Sequence, residues 1–168
     1  SIGSTQKKQI PPYIPMPEGR GFKVCFDKEA IREVRYLWAE GLDHQNWALI
    51  KSLMVEQIDA DFSVSGVPAQ RVPSDMLMQS FQHNLSRPGL KTQHIFSNFR
   101  ITVNGDQATC TSYQLAQHYI QGFAGGEEFH LRAEYEDQLT RTAAGWKISA
   151  MKLVAIFYVS GNPGILAG

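Results

Sequence analysis

Few residues in this chain have types and spacing that could do chemistry. The five histidines, His44, His83, His94, His118 and His130, show no HExxH-type ligand spacing, and Cys25 and Cys110 form no CxxC pair. A GxSxG elbow, a P-loop and a dinucleotide fingerprint are also missing. No cofactor and no metal are therefore expected. What remains is acid–base chemistry by isolated polar groups on elements that face a pocket. In "GLDHQNW", residues 41–47, Asp43 and His44 sit side by side where a helix runs out. Asp43 either bonds nearby backbone amides there or is a carboxylate delivered into a pocket. His94 opens a long strand, "KTQHIFSNFRITV", whose alternation puts His94, Phe96 and Asn98 on one face. Taken alone it is either a structural histidine or a working one. Tyr36, one heptad before Asp43, shares its helix face and offers a phenol.

The elements that must position these groups follow from periodicity. Residues 1–24, with Pro11, Pro12, Pro15 and Pro17, read as an extended arm. A single domain, residues 25–168, is expected after it. Asp27 is expected to cap "KEAIREVRYLWAEGL", in which Ile31, Val34, Leu37, Trp38 and Leu42 recur at helical spacing. "WALIKSLM" gives a second, short helix. "IDADFSV" alternates through Ile58, Ala60, Phe62 and Val64 and reads as a half-buried strand. "GVPAQRVP" reads as a loop, and Ser74 as the cap of a third helix carrying Met76, Met78 and Phe81. Phe81 is expected to line core or pocket wall. From Thr92 the chain is strand after strand, with hairpin turns at Asn104-Gly105 and at "AAGW". Arg141 reads as an exposed strand-end residue. Helices first and antiparallel strands after predict an α+β fold, a curved sheet around helices that encloses a pocket.

Composition bounds the function classes. The chain has 168 residues, 43% of them apolar, enough for one sizeable core. Formal net charge is +0, which gives no electrostatic case for nucleic acid or an anionic membrane surface. No apolar run reaches the ~20 residues of a membrane span. The start lacks an apolar h-region, so a secretory signal is not expected. Two cysteines weakly favour a reducing, cytoplasmic setting.

Four segments, "YLWAEGLDHQNWALIKSLM", "KTQHIFSN", "VNGDQATCTSYQLAQHY" and "AEYEDQLTRTAAGWKI", carry a family likeness. In this order and spacing they resemble the SnoaL-like branch of the nuclear-transport-factor-two-like superfamily, from about Glu29 to Tyr158. The likeness is strongest to its cofactor-free lyases: scytalone dehydratase, hexachlorocyclohexane dehydrochlorinase and bile-acid dehydratase. It implies a cone-shaped α+β roll in which Asp43 and His94 form a catalytic dyad. It also places His118 near a second histidine of scytalone dehydratase, one residue short, so that its facing depends on strand parity. Departures are visible. Leu42 stands where a tyrosine is common, Phe62 replaces a first-strand tyrosine, Tyr135 replaces an asparagine, and Ala155 lies near a last-strand arginine position.

The resemblance thus implies a lyase, foremost a dehydratase, on a small, largely apolar cyclic substrate. Tyr36, His118 or Tyr135 would stabilise a developing enolate. The same dyad fits an isomerase or a polyketide cyclase, and an inert pocket in a binding or assembly module is a further alternative. A homo-oligomer is expected, a trimer more than a dimer, which light scattering would count.

Overall fold

The computed structural model describes residues 20–167; of the arm expected over residues 1–24, residues 1–19 lie outside the described part and residues 20–24 are helical, the first turn of a helix that starts at Arg20. Helix α1 runs Arg20–Asp43, α2 Trp47–Ser52 and α3 Ser74–Asn84. The strands are β1 Met54–Asp61, β2 Gln70–Pro73, β3 Lys91–Asn104, β4 Gln107–Tyr119, β5 Glu128–Thr142 and β6 Gly145–Gly161. They form one mixed, curved and unclosed α+β sheet in the order β2-β1-β6-β5-β4-β3. β1 pairs in parallel with β6, and every other pairing is antiparallel. No helix among the described residues is long and apolar enough to cross a membrane.

Helix α1 buries Ile31, Val34, Trp38 and Leu42, the stripe its periodicity predicts, against the sheet. It starts at Arg20, seven residues before Asp27, and runs through Gly21. Asp27 therefore does not cap the helix. Its carboxylate accepts from both terminal nitrogens of Arg141 at 2.8 Å and from the Trp146 indole at 3.2 Å. The Arg141 pair holds the Asp27 carboxyl below the usual range, with burial opposing it. Arg141 is thus a staple between α1 and the β5–β6 end, not a free strand-end charge. It also donates to Asp106 at 3.0 Å.

Two further expectations change. The strand read through Val64 stops at Asp61, and Ser63–Ser65 form a 3₁₀ turn that leaves Val64 exposed. Within the presumed loop, Gln70–Pro73 adds a short edge strand on β1, so Ser74 is the first helical residue of α3 rather than its cap. The close approach of α1 and α2 rests on Gly41, where a Cβ would come within 2.8 Å of Ile50 Cδ1. That packing fixes where α1 ends, and hence where Asp43 points.

Candidate active site

Asp43 is the last residue of α1, and α1 packs mainly on β3. Its carboxylate is held by three donors of that strand. Thr92 Oγ1 donates at 2.9 Å, the His94 backbone N–H spans both oxygens at 3.1 and 3.0 Å, and His94 Nδ1 lies 2.7 Å from Oδ1. A helix-end aspartate is thereby turned away from its own backbone and onto an imidazole 51 positions on. Facing an ionised acceptor, Nδ1 carries the proton, which leaves the Nε2 lone pair as the basic end of the ring. Both side chains are largely buried, 6% exposed for His94 and 19% for Asp43, so water screens their interaction little. His44, by contrast, is exposed.

His118 joins them. On β4 the even-numbered residues from Ala108 to His118 all turn inward without interruption. Register sets Ala116 opposite His94 and His118 opposite Thr92, which settles the parity in favour of the interior. The two imidazoles meet edge to face at 5.7 Å. His118 Nδ1 donates to the Phe129 carbonyl at 3.1 Å. Burial pushes its pKa down to about 4, against that carbonyl's preference for the protonated ring. A neutral His118 with Nδ1–H already engaged presents only an Nε2 lone pair. It can accept a proton or hydrogen bond, but it cannot donate one to an enolate at neutral pH.

The folded-state pKa lies below the unfolded 6.5, so the unfolded chain binds more protons between about pH 6.5 and 4. The stability attached to a neutral His118 is complete above that window and is lost as pH falls through it, by about 3 kcal/mol in full. Urea unfolding at pH 7.5 and pH 4.5 is expected to show this loss in the wild type and less of it in His118→Gln, which keeps a donor for Phe129. Equal losses in both proteins would remove His118 as the cause.

Beyond the histidines the inner face is aromatic. Trp38 meets Phe81 at 5.6 Å, Phe81 meets Phe62 at 6.1 Å, Phe62 meets Tyr135 at 6.5 Å and Tyr135 meets Phe96 at 6.0 Å. Burial raises the Tyr135 phenol to about 12, so it stays a neutral donor. Phe62 and Phe81 also border a groove of about 340 Å³ shared with Val67, Met76 and Leu77. A larger groove, about 520 Å³, lies elsewhere, on the outer sheet face beside Tyr113, Arg132 and Phe157. No member of the dyad lines either groove, so groove size does not mark the chemistry here.

Two expected site residues are not brought in. Asn98 sits in a β-bulge, with φ 54° and a register shift between Ser97 and Arg100. The extra residue reverses the alternation, so Phe99, Ile101 and Val103 pack inward and Asn98 faces out beside the larger groove. Tyr36 stacks edge-on against Phe99 at 5.5 Å and is 45% exposed, beyond that bulge. Sharing a helix face with Asp43 does not bring it there, because seven residues separate them by about 10 Å along the axis.

A buried ion pair was not anticipated. Arg35 donates through Nε and Nη2 to the two Asp137 oxygens, each at 2.7 Å. Its guanidinium lies 4.5 Å from the Phe96 ring centre and 4.7 Å from that of Tyr135. Burial pushes the Asp137 carboxyl up and Arg35 pulls against it. The only sequence signal was a charged residue at a core-facing helical position beside Val34, and Asp137 on the inward parity of β5.

Among the described residues no cluster of His, Cys, Asp and Glu could hold a metal ion. Solved structures of similar fold include a protein from Kribbella flavida, 23% identical with a TM-score of 0.76, covering 84% of this chain and 97% of that one. A provisionally named scytalone dehydratase from Novosphingobium aromaticivorans is 17% identical with a TM-score of 0.70, covering 84% and 91%. A hexachlorocyclohexane dehydrochlorinase is also 17% identical, with a TM-score of 0.67, covering 84% and 93%. At such identity the likeness is one of fold. No curated protein matches the sequence. The sequence profile of the SnoaL-like domain matches residues 25–152, most of the chain, and the protein belongs to that family.

Proposed function

We propose that this protein is a cofactor-independent lyase, a dehydratase acting on a small, largely apolar cyclic molecule. The observation that carries the reading is the 2.7 Å contact of Asp43 with His94 Nδ1 on an inner face lined by aromatic rings. Asp43 fixes the His94 tautomer and supports the imidazolium when it forms. His94 Nε2 takes a proton from the carbon next to a carbonyl, and the C–H electrons move into the enolate. Collapse of the enolate forms the C=C bond and expels the neighbouring hydroxyl, which leaves as water with the proton from Nε2. Positioned proton transfer of this kind contributes roughly 10²–10⁴-fold. Of the phenols considered for the enolate, Tyr135 is the donor that lies on the inner face. Phe62 and Phe81 supply ring contacts.

Incubation with a panel of cyclic β-hydroxy ketones, followed by mass spectrometry, tests the reaction class. The expected product is lighter than its substrate by one water. A product of unchanged mass would move the same dyad to isomerisation or cyclisation. Tight binding of panel members without any turnover would sink the enzymatic reading altogether.

A further inference from the structure

The middle of β4 places two polar groups on the inner face with nothing to bond. Ser112 Oγ and Gln114 Oε1 are fully buried and have no hydrogen-bond partner among the described residues. Their residues are 1% and 6% exposed. Leaving such groups unsatisfied is costly, and it is unusual on a strand whose other inward residues are packed or bonded. Their position is specific. Gln114 pairs with Phe96 on β3 and Ser112 with Tyr135 on β5, so both lie between the two rings that flank the Arg35 guanidinium. Ala116, opposite His94, is the next inward residue along the strand, about 7 Å from Gln114. Arg35 and Asp137 spend their paired oxygens and nitrogens on each other and do not reach across.

We infer that Ser112 and Gln114 form a hydroxyl-binding ledge, which seats a substrate hydroxyl one residue pair away from the carbon that His94 deprotonates. The chemistry selects a hydroxyl. It donates to Gln114 Oε1 and accepts from the Ser112 O–H, so both orphan groups are satisfied at once. An ether can only accept, and a hydrocarbon does neither. Both are positioning residues, since neither touches the transferred proton. The inference rests on the dyad reading for the identity of the molecule bound, but its test uses binding alone.

Titration calorimetry with 5-indanol, its methyl ether and indane provides that test. Wild-type protein is expected to bind the alcohol about tenfold more tightly than the ether, the discrimination that one net hydrogen bond, to Gln114 Oε1, supplies. Gln114→Leu should reduce that ratio to near one, Ser112→Ala should weaken alcohol and ether alike relative to indane, and His94→Ala should keep the ratio, so a failed lyase assignment and a failed ledge give different results. Thermal melting of ligand-free Gln114→Leu should show an unchanged or higher Tm, because an unpaired amide is removed. Absence of an alcohol preference in the wild type, whether all three probes bind or none does, overturns the ledge and leaves Ser112 and Gln114 as hosts of structural water only.

Discussion

His94→Ala is expected to lower kcat by roughly 10²–10⁴-fold while leaving the fold standing, because it deletes the proposed base without emptying the Asp43 site. Asp43 would still accept from Thr92 Oγ1 and from the backbone N–H of residue 94. Asp43→Asn should reduce kcat by a similar order through a different route. An asparagine amide must turn one N–H end toward donors that now face a carboxylate on both oxygens. The ring then loses the partner that holds the proton on Nδ1 and Nε2 as the base. KM should change far less than kcat in both variants, since neither group is needed to seat an apolar ring. Steady-state kinetics on whichever panel member turns over, with circular dichroism as a folding control, measures both. Variants with wild-type kcat would show that the 2.7 Å contact only ties α1 to β3.

Asp137→Ala is expected to destabilise the protein by about 3–5 kcal/mol, the largest effect of any single substitution considered for the core. The side chains of Arg35 and Asp137 are 2% and 1% exposed, so removing the carboxylate strands a guanidinium that cannot lose its proton. Arg35→Met should cost less. The orphaned carboxyl, already pushed up by burial, can take up a proton and become neutral. With its folded-state pKa raised further, that variant should lose stability as pH rises through the new value, the opposite slope to His118. Replacing both, with Arg35→Met and Asp137→Leu together, should recover most of the loss. Urea unfolding of the wild type and the three variants measures these differences. A loss in Asp137→Ala no greater than a surface substitution would mean that the pair is solvated in solution.

The local elements were legible because each depends on neighbours in the chain. The Ile31–Leu42 stripe, the Asn104-Gly105 hairpin and the run of long strands follow from periods of 3.6 and 2 and from turn chemistry. The Asp43–His94 pairing was reached through a family likeness, since two residues 51 positions apart carry no local signal of contact. His118 shows the limit from the other side. Counting along one strand left its facing open, and the register of β3 on β4 decided it.

What the sequence determined by itself, then, is which faces of α1, β4 and β5 are apolar, and that acid–base chemistry without a metal signature was the reading left. Tertiary structure decided which polar groups meet. A bulge with φ 54° at Asn98 sent that residue outward, a helix that starts at Arg20 turned Asp27 from a cap into the partner of Arg141, and packing of the sheet on α1 joined Arg35 to Asp137. In each case the reason is the same. A strand's parity and a helix's length are set locally only until a bulge must be fitted against a neighbouring strand or a distant charge must be neutralised, and the two charge pairs span 102 and 114 positions of chain.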